Sequence, residues 1–218
     1  MIYYFINIIL FIIIIYLLFD YYMLLEVKLR KSIDTNIRRD ILIDLYNIII
    51  NVSEISNTKP FLLYGTLLGY IRNNDLICYD YDLDFGIKID EYELFKYNIK
   101  EYLKNNNEIE LIIKDVFNYR SIKLIHKNTG ISCDLFTYSL INDKYNRDVM
   151  KLYSKYYLKE NCIDISKNWI DELQQVYFLG RYTYIPNKSK QLLECYYGKD
   201  YMTPDHKCNK DCSVCIKN

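Results

Sequence analysis

The stretch FLLYGTLLGYIRNNDLICYDYDLDFGIK, residues 61–88, decides how the rest of this sequence is interpreted. It begins as an apolar strand, breaks at a glycine-containing turn, and returns as a second apolar run that carries Asp80, Asp82 and Asp84 at alternate positions. Alternate residues of a strand face the same way, so the run is predicted to gather three carboxylates on one face. Like charges this close repel each other, and a bound cation would relieve the repulsion.

The acidic run predicts a metal site. Mg²⁺ and Mn²⁺ prefer oxygen ligands, and Mg²⁺ usually takes one or two carboxylates together with substrate phosphates. Asp82 and Asp84 are the predicted ligands. Asp134 is the candidate third carboxylate, because it interrupts the apolar strand ISCDLFTY, where a charge needs a partner. The alternative is a solvated strand face, which the rarity of aspartate in strands disfavours.

The sequence GTLLG, between the two apolar runs, predicts a phosphate-binding segment. A strand that ends in Gly65 and Thr66 and leads into a short helix presents backbone N–H groups and a hydroxyl to a phosphate, and Gly69 closes the same segment. Arg72 is a candidate partner for phosphate charge, and Lys123, on a later strand, is another. The alternatives are an ordinary tight turn and a surface arginine.

Hydrophobic periodicity predicts an alternation of helices and strands. Helices are predicted at residues 30–56, 90–103, 147–160, 167–175 and 188–197, and strands at 61–64, 76–87, 109–117, 119–126, 131–138 and 176–186. Asp90 and Glu93 form a capping pattern at the second helix, and Gly198 is placed to end the last one. The elements lack regular βαβ units, so we expect a mixed sheet flanked by helices.

The first 25 residues differ in kind from the rest. Residues 2–19 form an almost wholly apolar run, which is long enough to cross the ~30 Å hydrocarbon core of a bilayer, and no small-residue cleavage site follows. We therefore expect a single retained transmembrane helix within 1–25, a catalytic domain over 26–205 and a cysteine-rich tail over 206–218. A buried core helix is the alternative. Basic residues after the run favour a cytosolic domain.

Charge and cysteine content restrict the partners and cofactors. The formal net charge is zero, with 28 basic and 28 acidic residues, so no nucleic-acid partner is expected. Near the end of the chain His206, Cys208, Cys212 and Cys215 are spaced to form a tetrahedral zinc site. The alternatives are a loose tail, or disulfides if the compartment is oxidising.

These motifs, in this order, resemble the polymerase-β-like nucleotidyltransferase superfamily and, within it, the LicD/fukutin family. The resemblance rests on LYGTLLGYIR at 63–72, YDYDLDF at 79–85, CDLF at 133–136, YIP at 184–186 and LxxxYYGKDYxxP at 192–204. It covers roughly residues 35–205. The chain departs from the family at Cys78 and Tyr79, where members usually have Pro-Trp.

The resemblance implies an α/β (α+β) nucleotidyltransferase-like fold and a membrane-anchored, Mg²⁺- or Mn²⁺-dependent phosphotransferase. Similar proteins move a phospho-alcohol unit, of the phosphocholine or ribitol-phosphate type, from a CDP-activated donor to a glycan or glycoprotein. By this resemblance Asp82, Asp84 and Asp134 hold the metal against the donor pyrophosphate. Asp80 positions the acceptor hydroxyl or acts as its base. The family also suggests a Golgi-type lumenal domain, which conflicts with the flanking charge.

Two other functions compete with this interpretation. One is a nucleotidyltransferase that acts on a small acceptor. The other is a catalytically inactive relic of the fold that binds a glycan or a partner protein. The intact set of aspartates disfavours the relic, because a site without turnover gains nothing from charges that repel each other.

Overall fold

The computed structural model of the protein describes residues 33–116, 119–147 and 164–204, together with Cys162. Near the start of the chain it also describes residues 4, 7–8, 10–18, 21 and 25. The predicted helix at 147–160 and the four predicted zinc ligands, from His206 to Cys215, fall almost wholly outside the described residues.

The described residues form helices and strands that alternate along the chain. The helices are α1 Thr35–Ser56, α2 Tyr64–Asn73, α3 Ile89–Leu103, α4 Lys167–Ile170 and α5 Ser189–Tyr197. The strands are β1 Phe61–Leu62, β2 Asp82–Lys88, β3 Ile109–Val116, β4 Tyr119–His126, β5 Ser132–Ile141, β6 Lys144–Arg147, β7 Asp164–Ser166, β8 Gln174–Phe178 and β9 Arg181–Ile185.

One mixed sheet contains all of these strands. Its main order is β3-β4-β5-β2-β1-β9-β8, with β6 paired to β5 and β7 paired to β6. Strand β2 pairs with β5 in parallel and with β1 in antiparallel orientation, while β1 pairs with β9 in parallel. The predicted mixed sheet flanked by helices is therefore confirmed, and the acidic strand β2 lies near the middle of it.

Helix α1 covers one face of the sheet. It begins where the side chain of Asp34 accepts the backbone N–H of Asn36 at 2.9 Å, which satisfies a donor that the first helical turn leaves open. Its Tyr46 is fully buried, lies 6.1 Å from the ring of Phe85 and donates its hydroxyl to the carbonyl of Phe178 at 3.1 Å. Because Phe85 alternates with the aspartates, α1 occupies the face opposite to them.

Strand β2 begins later than the sequence predicts. The expected strand at 76–87 would include Asp80, but the observed strand starts at Asp82. Before it, the backbone N–H of Asp80 donates to the carbonyl of Ile77 at 2.9 Å and closes a turn. The prediction that three aspartates alternate along one strand is therefore wrong for Asp80, and Tyr81 likewise precedes the strand.

Other boundaries differ for local reasons. The helix predicted at 167–175 ends at Ile170, and the single strand predicted at 176–186 is the hairpin of β8 and β9. Leu179 and Gly180 both have positive φ, as a type I′ hairpin turn requires, and leucine rarely signals such a turn. Asp90 does not cap α3, because the N-cap residue is Lys88. Gly198 follows α5 as predicted.

The predicted transmembrane helix lies in a part of the chain that is described only in places. Residues 10–18 are helical, and their apolar side chains are exposed. No helix among the described residues is both long and apolar enough to span a bilayer. The structure therefore gives no support to the anchor predicted within 1–25.

A stability test follows from the contact between β1 and β2. A side chain at Gly86 would meet the ring of Phe61 closer than van der Waals contact allows. We expect Gly86→Ala to lower the free energy of unfolding by about 1–3 kcal/mol, the usual cost of overpacking. Denaturant unfolding measures the change. Phe61→Leu removes the ring edge that faces Gly86, so it should lower the free energy of unfolding less in the Gly86→Ala background than in the native protein. If the losses from the two substitutions simply add, this account is wrong.

Candidate active site

Pairing within the sheet sets a lysine and two aspartates side by side. On β4 and β5 the residues Lys123 and Asp134 are register partners, and on β5 and β2 the partners are Asp134 and Asp84. Register partners project from the same face of a sheet. Lys123, Asp134 and Asp84 therefore form one row across three adjacent strands, which we call the acidic row.

Asp82 extends the acidic row along β2. It precedes Asp84 by two residues and shares its face, while Leu83 and Phe85 on the other face are fully buried. Asp82 and Asp84 remain partly exposed. The burial of the alternate residues holds the strand in place, so both carboxylates reach an accessible surface on a rigid support.

An ion pair neutralises the third carboxylate. The ammonium of Lys123 lies 2.7 Å from Oδ2 of Asp134, and both side chains are largely buried. The structure thus brings Asp134 to Asp84, as expected from the sequence, but also shows it held by Lys123. The metal-binding role of Asp134 and the phosphate-binding role of Lys123 stay predictions.

Asp80 reaches the same corner from the loop before β2. A side chain at Gly65 would come within 2.9 Å of Oδ2 of Asp80, so the carboxylate lies against the start of α2 and would have to shift if Gly65 were replaced. Arg38 of α1, which is 6% exposed, donates to the carbonyl of Cys78 at 2.7 Å and so connects the loop to α1. The loop thus has a defined position although it is outside the sheet.

Thr66 connects α2 to the acidic strand. Its buried hydroxyl accepts the backbone N–H of Asp84 at 2.9 Å. Gly69, one turn later, packs against the loop, where a side chain would come within 2.5 Å of the carbonyl of Asp75. In this structure both residues serve the packing of α2 on β2. Their predicted contacts with phosphate, and that of Gly65, stay predictions.

Arg72 lies at the far end of α2. Its guanidinium donates to the carbonyls of Tyr201 and Thr203. It thereby ties the segment after α5 to α2, a structural role that the sequence did not indicate. Its predicted contact with phosphate stays a prediction.

Two tyrosines near the site were not singled out from the sequence. Tyr64 begins α2 with φ of 42°, an uncommon conformation for a large side chain, and its ring lies 4.6 Å from that of Tyr196. Tyr197 ends α5; burial and the carboxylates of Asp84 and Asp80 raise its pKa above the usual value. The chain has 25 tyrosines, so the residue type alone does not mark Tyr197 as a site residue. Its place at the end of α5 in the folded structure does.

The chemistry of the site suits a small divalent cation. The described residues contain no group of three or more His, Cys, Asp or Glu side chains that could hold a metal ion. Mg²⁺ needs fewer, since it commonly uses one or two carboxylates and completes its shell with water and substrate phosphates. Asp82 and Asp84 provide that number of hard oxygen ligands, so they fit such an ion.

The cysteines that the structure describes are buried or disulfide-bonded. Cys133 is buried beside Asp134, and burial together with the carboxylates of Asp134 and Asp84 raises the pKa of its thiol, which keeps it protonated and unreactive. Cys162 forms a disulfide with Cys195 on α5, and Cys78 is also disulfide-bonded. The disulfide of Cys195 fastens the helix that carries Tyr197.

The bond between Thr66 and Asp84 can be tested by substitution. Thr66→Val keeps the volume but removes the acceptor, and it leaves the N–H of Asp84 without this partner. We expect it to lower the free energy of unfolding by about 1–3 kcal/mol. Thr66→Ser keeps the acceptor and loses one methyl group, at a cost of about 0.8 kcal/mol. Denaturant unfolding measures both variants. If the serine variant is the less stable of the two, the hydrogen bond from Asp84 to Thr66 does not account for the stabilising effect of Thr66.

Comparison with known proteins adds one finding. Residues 57–188 match the family model described as LicD/FKTN/FKRP, nucleotidyltransferase domain. The matched region runs from the end of α1 to the start of α5 and includes β2, β4 and β5 with the whole acidic row. A search of curated proteins gave no match.

Proposed function

Since the chain belongs to the LicD/FKTN/FKRP nucleotidyltransferase-domain family, a family of transferases, we propose that it is a Mg²⁺-dependent phosphotransferase. It moves a phospho-alcohol unit, of the phosphocholine or ribitol-phosphate type, from a CDP-activated donor to a glycan. The single observation that carries the proposal is the acidic row, in which Asp84 and Asp82 stand on the central strand beside the Lys123–Asp134 pair.

The division of charge in the site supports this proposal. Asp82 and Asp84 would hold the cation, which when bound supplies positive charge against the pyrophosphate of the donor. The Lys123–Asp134 ion pair offsets the charge of Asp134, while Asp82 and Asp84 on β2 would supply the carboxylate ligands of the cation. Phosphoryl transfer depends mostly on positioning and charge neutralisation, which rigid strands provide well.

Asp80 has a different place and a different proposed role. It stands on the loop before β2, on the side where α2 begins, and Gly65 allows its carboxylate to come close to the helix. From there it would accept a hydrogen bond from the acceptor hydroxyl and take its proton as the new phosphate ester forms. A carboxylate outside the metal-bearing strand can do this without competing for the cation.

We further propose that the domain works in an oxidising compartment and is attached to a membrane by its apolar N-terminal segment. The disulfide between Cys162 and Cys195, and that of Cys78, support the oxidising side, because the cytosol keeps thiols reduced. This favours the lumenal or extracytoplasmic orientation over the one suggested by flanking charge. The exposed apolar side chains at 10–18 support membrane attachment.

The metal-binding role is tested by replacing Asp82 and Asp84 with asparagine together. We expect Mg²⁺-dependent release of CMP from a CDP-alcohol donor to fall at least about 100-fold, because the cation loses both charged ligands. Treatment of the native protein with EDTA should produce the same loss, and added Mg²⁺ should reverse it.

A matched control comes from α1. Asp40 and Asp44 are exposed, and Asp40→Asn with Asp44→Asn changes the net charge by the same amount away from the site. This variant should keep the native rate. If the Asp82/Asp84 variant keeps it as well, while its melting curve shows a folded protein, the proposal is wrong. Transfer of a nucleotidyl group from a nucleoside triphosphate to a small acceptor with release of pyrophosphate, and no CMP release from CDP-alcohols, would instead indicate a small-acceptor nucleotidyltransferase.

The compartment is tested by trapping thiols at lysis. When the protein is alkylated before reduction and then digested, peptide mass analysis should find Cys162 joined to Cys195. Cys133 is 1% exposed and should be alkylated only after denaturation. Alkylation of both Cys162 and Cys195 before reduction, in native membranes, would contradict an oxidising compartment.

A further inference from the structure

A layer of aromatic rings borders the acidic row. Phe136 follows Asp134 by two residues on β5 and faces the same way, and its ring lies 5.9 Å from that of Tyr64. Tyr64 in turn lies 4.6 Å from Tyr196 of α5. The layer therefore runs from the central sheet, across the start of α2, to the end of α5.

Tyr196 is the fixed member of this layer. Its hydroxyl lies 3.5 Å from that of the buried Tyr138, it also bonds the hydroxyl of Tyr64, and burial raises its pKa well above the usual value. The preceding residue, Cys195, is held by its disulfide. The end of α5 is thus held by the contacts of Tyr196 and, at Cys195, by a covalent bond.

Tyr197 is the exposed member. Its ring lies 6.4 Å from that of Tyr196, almost perpendicular to it at 83°, and 41% of the residue is exposed. Asp84, Asp80 and Asp82 all act on it electrostatically. Tyr197 therefore ends the series of ring contacts that begins at Phe136, two residues from Asp134, and part of its surface is open to solvent.

We propose that Tyr197 is the platform on which the nucleobase of the CDP donor stacks; this rests on the proposed function. A nucleotide whose pyrophosphate lies at Asp82 and Asp84 must place its base at the border of the site, and every base offers a flat π face to an aromatic ring. The rigid support behind Tyr197 holds the ring in place before binding, so little freedom is lost when the base arrives.

Other roles for Tyr197 fit the structure less well. A phenol is already protonated at neutral pH at its ordinary pKa of about 10, so Tyr197 is not suited to act as a general base. A hydrogen bond from the phenol to a phosphate oxygen would be lost in Tyr197→Phe, which keeps the ring, so that variant separates this role from stacking. A contact with the acceptor sugar remains as the competing role, and the experiment below separates it from the stacking of the base.

The test compares the binding of two ligands that differ in the base. CDP and inorganic pyrophosphate are titrated, each with Mg²⁺, into the full chain and into Tyr197→Ala, Tyr197→Leu and Tyr197→Phe. We expect the alanine and leucine variants to bind CDP about tenfold more weakly, the loss of one base–aromatic stack, and to bind pyrophosphate as the native protein does. The phenylalanine variant keeps the ring and should stay within about twofold.

Tyr97 provides the matched control, because it is an exposed tyrosine on α3 and Tyr97→Ala should change neither affinity. An unchanged affinity of Tyr197→Ala for CDP, or an equal loss for CDP and pyrophosphate, overturns the inference and leaves the proposed function standing. A raised KM for the acceptor with native CDP affinity assigns the ring to the acceptor and likewise overturns it. If the native protein binds CDP no better with Mg²⁺ than without, the proposed function and this inference both fail.

Discussion

Parallel pairing between β2 and β5 is the constraint on which the candidate site depends. It runs without interruption from Asp82 beside Ser132 to Lys88 beside Tyr138, and it sets Asp84 next to Asp134. A slip of one residue would turn the aspartates into the core and expose Leu83 and Phe85, so burial of the apolar face specifies this register strongly. The same pairing brings Lys123 into line through β4, and the ion pair offsets part of the charge.

The core beneath the site keeps mutually repelling carboxylates at fixed positions. Tyr46 of α1 packs between Phe85 and Phe178, and it thereby joins the central strand to the hairpin at the edge of the sheet. Each fully buried large side chain of this kind contributes about 1.5–3 kcal/mol. That is comparable with the Coulomb repulsion between neighbouring carboxylates near a surface, which is a few kcal/mol per pair. Packing on one face can thus maintain a charged cluster on the other.

Much of the fold could be predicted because local patterns have local causes. The two-residue period of β4, the 3.6-residue period of α1 and Gly198 at the end of α5 act within a few residues, and the structure has them where expected. Predictions failed where a short-range bond overrode the pattern. The turn that ends at Asp80 and the positive φ of Leu179 are examples, since neither residue type announces such a geometry.

By itself the sequence determined that aspartates alternate on a buried strand, that a second acidic strand exists, and that the chain belongs to one family of transferases. The tertiary structure placed Asp134 beside Asp84, as the sequence predicted. It alone decided the other contacts: Lys123 on Asp134, Arg72 on the carbonyl of Tyr201, and the ring of Tyr197 against that of Tyr196. The physical reason is that period and propensity act along the chain, whereas these contacts join residues far apart in sequence, which come together only when the sheet register and the packing of α5 are set.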